Sequence, residues 1–187
     1  MKSCFNITCS LVILFITSPI SIADELKSVT QRTVIDAIVV ASSCRVMVDA
    51  GYSGTRLLNF GSWNKSADES PQAGSFTLWL YEDGATMPGC SAFRVAPLAS
   101  ITFGNAGQLD NEGVITRGAG GGIRIDIRAL DQEADYRGKI ANGNNIINYP
   151  SRFVEAGKLR FSALPVNLEK ASAGEYRGSV AFVLSYP

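Results

Sequence analysis

Alternation constrains this chain more than any other feature. In Ile123-Arg124-Ile125-Asp126-Ile127-Arg128 an isoleucine is followed each time by a charged residue. Successive side chains of an extended strand point to opposite faces, so this run offers three isoleucines to a core and three charges to solvent. The same period runs through Phe76-Thr77-Leu78-Trp79-Leu80, which stops at the turn signal Asp83-Gly84, and through residues 159–163 and 180–186. Residues 33–40 and 46–48 are rich in β-branched side chains on either side of Cys44. Gly104-Asn105-Ala106-Gly107, Asn142-Gly143-Asn144-Asn145 and Tyr149-Pro150-Ser151 read as joints between strands. No stretch keeps a helical stripe over three turns. Short strands spaced about a dozen residues apart predict one all-β domain, a β-sandwich of immunoglobulin-like size with Trp79 in its core.

The first 23 residues read as a secretory signal peptide. Lys2 is the only charge before Asp24, an apolar run from Leu11 to Ile16 follows, and Ser21-Ile22-Ala23 forms a small-x-small cleavage site. The apolar core is shorter than the roughly 20 residues a membrane span needs, and Pro19 interrupts it, so no permanent membrane anchor is expected. Cleavage removes Cys4 and Cys9, leaving Cys44 and Cys90 in an oxidising compartment. One structural disulfide is expected. It closes 46 positions, which chain-entropy bookkeeping values at roughly 4 kcal/mol.

Charge and composition exclude several functions. Lys+Arg and Asp+Glu number 17 each, so the whole-chain balance draws in neither nucleic acid nor an anionic membrane. Histidine is absent, which removes Ser-His-Asp and Cys-His catalysis, His-ligated metals and imidazole switches. No metal site, catalytic residue or cofactor is expected, and an enzyme is not indicated. Gly118-Ala119-Gly120-Gly121-Gly122 lacks the Gly-Lys-Ser/Thr and the helix of a phosphate loop, and reads as a hairpin or bulge. Asp131-Gln132-Glu133-Ala134-Asp135 resembles the start of a calcium loop, but Tyr136 and Asn142 stand where glycine and glutamate are needed; a solvated loop is expected. Asp68-Glu69 and Asp110 with Glu112 fall in polar turns as ordinary surface charge. Asn64-Lys65-Ser66 fits a glycosylation sequon, meaningful only in a eukaryotic secretory route. Trp63 and nearby tyrosines would be the platform of a self-sufficient carbohydrate-binding sandwich, the alternative reading.

The last fourteen residues, from Gly174 to Pro187, carry the most specific signal. A glycine fourteen residues from the end, a penultimate tyrosine and alternating apolar residues between them resemble the C-terminal motif of pilus subunits assembled by the chaperone–usher pathway. Gly174 and Tyr186 meet both requirements, and Val180, Phe182 and Leu184 share a strand face with Tyr186. Residues 39–46 resemble that family's first strand leading into its first cysteine. Leu58-Asn59-Phe60-Gly61 resembles the short strand that follows, and Cys90 stands where the second cysteine is expected.

The resemblance implies an incomplete immunoglobulin-like fold, the pilin fold, over residues 35–187. Its missing strand is supplied first by a periplasmic chaperone and then, at an outer-membrane usher, by a neighbouring fimbrial subunit. Gly174, Val180, Phe182, Leu184, Tyr186 and Pro187 would line the groove and meet the chaperone. Residues 24–34 would be this subunit's own donor extension, with Leu26, Ser28, Val29, Thr30 and Arg32 in the donated strand. That segment departs from the family pattern: it holds no glycine, and Leu26 and Val29 fall on opposite faces of a regular strand. The implied protein is a structural, non-enzymatic fimbrial subunit contributing to cell adhesion, in a minor or adaptor position, passing through the periplasm to the cell surface.

Overall fold

The computed structural model of the chain describes residues 44–51, 56–64, 66, 70–105, 107–119 and 121–185. The expected signal peptide, the donor extension and the strand over 33–40 lie outside these residues, as do Asp68, Glu69, Tyr186 and Pro187.

Ten strands among the described residues form two sheets. The large sheet runs β1 (Cys44–Asp49), β2 (Gly74–Glu82), β8 (Lys158–Val166), β6 (Arg124–Ala129), β5 (Gly113–Gly118) and β4 (Leu109–Asp110), and β9 (Tyr176–Gly178) pairs with β5. The small sheet runs β10 (Phe182–Ser185), β3 (Leu98–Phe103) and β7 (Ile146–Pro150). Every strand pair is antiparallel. Alternation places Leu78 and Leu80 of β2, Leu159, Phe161 and Ala163 of β8, and Ile125 and Ile127 of β6 in a core shared with Ile101, Phe103, Ile147 and Tyr149 of the small sheet. Phe161 joins the layers: its ring stacks on Phe76 at 5.1 Å and meets Phe103 edge-on at 5.3 Å.

The expected disulfide is present. Cys44, at the start of edge strand β1, is bonded to Cys90 with Cα atoms 6.1 Å apart. Cys90 leads into a 3-10 turn (Ser91–Val95) that packs against the short helix α1 (Ser151–Glu155). Backbone bonds knit this corner: Cys90 N–H donates to Glu155 O, Leu80 N–H to Gly157 O, and Gly89 N–H to Leu80 O. Only glycine fits at position 157. Its φ is +78°, and a Cβ there would stand 2.4 Å from Gly89 N. Arg94 and Glu155 close the corner with an ion pair that holds the Glu155 carboxyl below the usual range.

Several expectations change. Tyr149-Pro150-Ser151 is no joint: Tyr149 and Pro150 end β7, Ser151 begins α1, and Tyr149 is fully buried. Burial, helped by the nearby charges of Asp131, Asp135 and Glu133, pushes the Tyr149 hydroxyl well above its ordinary pKa. Trp79 is not in the core. It sits half-buried on the outer face, opposite in direction to Leu78 and Leu80, with the Lys158 ammonium over its ring. Leu58-Asn59-Phe60-Gly61 forms no strand; Leu58 and Phe60 are half-buried against the core, and Asn59 Oδ1 accepts the Gly61 N–H. The charged face of β6 is not all solvated, since Asp126 is buried beneath Arg128. Nor is the 131–135 loop: Asp131 is buried and accepts both the N–H and the Nε–H of Arg160 at 2.7 Å. Ala119, Gly121 and Gly122 lie, as expected, in the turn between β5 and β6.

Candidate functional site

The C-terminal segment changes sheets. β9 pairs Tyr176, Arg177 and Gly178 with Gly118, Arg117 and Thr116 of the large sheet. The chain then leaves that sheet through Ser179 and Val180, and β10 joins the small one, Phe182 opposite Phe103 and Ser185 opposite Ser100. At the crossing, Ala181 O accepts the Gly104 N–H at 2.7 Å. The two-residue period of the pleat fixes the orientation of this segment: Val180, Phe182 and Leu184 are half-buried against the core, whereas Val183, between the last two, is 64% exposed. Phe182 lies 6.1 Å from the Phe103 ring.

The two edges of the small sheet differ. At β7 the edge is filled by a loop side chain. Asp135 accepts the Asn148 backbone and side-chain N–H groups at 2.7 Å each, and its own N–H donates to Asn148 O at 3.0 Å. At β10 no strand pairs the outer edge among the described residues. This leaves a row of backbone donors and acceptors beside half-buried apolar side chains, the chemistry that accepts an added strand.

Upstream of β9 lies a cleft of about 1060 Å³. Leu58, Phe60 and Trp63 line one side, residues 171–177 the other, and Ile123 and Leu168 also line it. The same segment continues through Gly178 into β10. Gly174 lines this cleft with φ +141°, and a Cβ there would come 2.8 Å from the Ala119 Cβ, so any side chain would push the segment off the β5–β6 turn. Burial raises the Tyr176 hydroxyl above its ordinary pKa. Glu175 and Arg177 pair at 3.2 Å and are largely exposed.

Of the residues singled out from sequence, the structure places Val180, Phe182 and Leu184 on one face and Gly174 at the cleft. Leu26, Ser28, Val29, Thr30, Arg32, Tyr186 and Pro187 lie outside the described residues. Trp63 lines the cleft instead of forming a flat platform. Ile123, Leu168 and Tyr176 were not expected in the cleft; only the alternation that buries Ile123 hinted at one of them.

The acids considered for chemistry are held in structural bonds. Asp110 accepts from Arg124 Nε at 2.6 Å and from the Glu112 N–H at 2.8 Å. Burial alone would raise the Asp110 carboxyl, but these bonds, with the Gly113 N–H and the Arg124 charge, hold it below its usual range. Glu112 accepts from Asn167 Nδ2. Among the described residues no helix is long and apolar enough to cross a membrane.

The profile of the family described as K88 fimbrial protein A matches residues 7–187. No curated protein sequence matches the chain. Among solved structures, the P pilus rod subunit PapA is similar over 84% of this chain and 99% of its own, with 14% sequence identity and a TM-score of 0.49.

Proposed function

The chain belongs to the K88 fimbrial protein A family, and from that premise we propose that it is a structural fimbrial subunit whose sandwich is closed by a strand borrowed in turn from a periplasmic chaperone and a neighbouring subunit. The observation that carries this reading is the asymmetry of the small sheet. Its β7 edge is sealed by Asp135, while its β10 edge has no strand partner among the described residues and lies next to half-buried Val180, Phe182 and Leu184. An added strand would pair with that edge and bury those side chains, so affinity comes from the ladder and selectivity from the alternate pockets. In this reading Tyr186 and Pro187 would continue the groove wall toward the chaperone. Residues 24–34 are this subunit's donation to the next, delivered at the outer-membrane usher. Their lack of glycine supports a minor or adaptor position in an adhesive surface fibre.

Thermal unfolding of two oxidised chains tests the reading. One is residues 35–187 alone; the other carries residues 24–34 on a flexible linker after Pro187. The bare chain is expected to aggregate or melt broadly, and the complemented chain to unfold cooperatively at a much higher temperature. Equal, cooperative melting of both would show that the sandwich is already complete and would remove the proposal.

A further inference from the structure

The balanced charge of the whole chain hides an asymmetry on the outer face of the large sheet. In register, Arg45 stands opposite Tyr81, Met47 opposite Trp79, Trp79 opposite Lys158, and Thr77 opposite Arg160. Opposed side chains share a face, so these residues form one surface across β1, β2 and β8, extended onto β6 where Arg128 stands opposite Ser162. Arg45, Lys158, Arg160 and Arg128 are all exposed. The acids that pair with two of them lie underneath. The Asp131 and Asp126 side chains are 2% and 8% exposed, against 53% for both Arg160 and Arg128. Asp49, opposite Thr77 on this face, is half-buried with its Oδ1 accepting the Gly51 N–H, and exposed Glu133 of the neighbouring loop acts on Arg160, so the exposed charges on the four strands themselves are cations.

The other two cations are held differently. The Arg45 guanidinium lies 5.5 Å from the Tyr81 ring centroid and the Lys158 ammonium 5.0 Å from that of Trp79. Among the described residues neither forms an ion pair. A ring orders a cation without cancelling its charge, whereas a carboxylate cancels it. Both cations are therefore pre-positioned and still available to an anion. Beside them Met47 is 44% exposed and offers apolar surface.

We propose that this face binds an acidic polysaccharide, with carboxylate or sulfate groups on Arg45 and Lys158 and sugar rings against Met47 and the exposed edges of Trp79 and Tyr81. Charge spacing selects this class. Arg45 and Lys158 sit two strands and two residues apart, about 12 Å from strand geometry. A nucleic acid, with a phosphate about every 3.4 Å along each strand, asks for a denser row of cations. A peptide adding to a sheet needs an edge; β2 and β8 are paired on both sides, and a strand added at the outer edge of β1 would lie three strand spacings from Lys158. A polysaccharide with anions a sugar or two apart matches both the spacing and the flat side-chain surface. The face is carried by the large sheet, so β10 and its open edge play no part in it.

The test measures retention of the chain complemented by residues 24–34 on a linker after Pro187, on immobilised dextran sulfate at rising salt, with uncharged dextran and poly-glutamate as comparisons. Salt-releasable retention on dextran sulfate alone is expected. The double variant R45A/K158A should bind about ten-fold more weakly, with a slope of log affinity against log salt smaller by about 1–2. R45Q/K158Q, which keeps the side-chain stems over the rings, should do the same with an unchanged melting temperature, separating lost charge from lost packing. Retention unaffected by both double variants, or no retention of the parent chain, overturns the proposal. Equal retention on poly-glutamate also overturns it, in favour of an acidic polypeptide partner.

Discussion

Replacing Cys44 and Cys90 together by alanine probes how an edge strand is kept in place. β1 pairs only with β2, so one side of it has no sheet partner among the described residues. Its other tie is the cross-link to Cys90, whose N–H is bonded to Glu155 O at the end of α1. The bridge spans a sequence separation of 46. For a loop of that size the chain-entropy relation removes about 13.5 cal/mol/K from the unfolded ensemble, or about 4 kcal/mol at 25 °C. With a urea m-value of about 2 kcal/mol/M, the unfolding midpoint should fall by about 2 M. Urea unfolding followed by tryptophan fluorescence reads this, using the donor-complemented chain if the bare one does not unfold cooperatively. Hydrogen exchange in the folded double variant should accelerate first in residues 44–49, because the loosened edge opens before the centre of the sheet. A midpoint shift worth less than about 1 kcal/mol would refute the entropic reasoning. Faster exchange spread evenly over both sheets would refute the placement of the clamp at β1.

Three further outcomes follow from the packing and the ion pairs. Phe161→Ala removes the ring that links Phe76 to Phe103, and urea unfolding should show a loss of about 3–5 kcal/mol; a loss under 1 kcal/mol would mean that the sheets do not depend on it. Gly157→Ala and Gly84→Ala share nearly the same φ, +78° and +74°, but only position 157 is crowded. Both should incur the left-handed penalty of about 1–2 kcal/mol, and thermal melting should show Gly157→Ala falling further; equal losses would deny the contact with Gly89. Asp110 has a carboxyl depressed by its bonds to Arg124, Glu112 and Gly113 despite partial burial. Its contribution is present above the unfolded-state value near pH 4 and is lost as pH falls through the lower folded-state value. Asp110→Asn should therefore flatten the acid limb of a stability–pH curve, and an unchanged limb would show that the pair contributes nothing there.

Much of the fold was legible because alternation carries both a strand and its inward face. Residues 76–80, 124–128 and 159–163 are the centres of β2, β6 and β8. Trp79 was misplaced by ranking its size above its parity: with Leu78 and Leu80 inward, position 79 must face out. Pro150 was read as punctuation, but a proline closing a strand has no ladder bond to give up at that end, and it runs directly into α1. Asp126 and Asp131 read as solvated because alternation assigns a face without showing what covers it: Arg128, two residues along the same face, lies over Asp126. For Asp131 the cover is Arg160, 29 positions away. The cationic outer face was missed for the same reason, since a charge count gives a buried acid and an exposed arginine equal weight.

The candidate site rests on a contrast that only the three-dimensional arrangement exposes. Proteins protect sheet edges with charges, prolines, bulges or covering loops, because an open ladder invites another chain. β7 follows this rule twice, ending in Pro150 and having its edge filled by Asp135. β10 does not follow it: Phe182-Val183-Leu184-Ser185 contains no charge and no proline, and its apolar face is half-buried. Leaving such an edge open in a lone domain would favour aggregation. Filling it with a strand removes the hazard by making the domain's stability depend on a partner. That dependence is what a fibre built by successive strand insertion requires, because each subunit is then completed by its neighbour. The same contrast predicts that Leu184→Lys, which places a charge on the inward face of β10, should weaken complementation by residues 24–34 far more than Val183→Lys on the outward face.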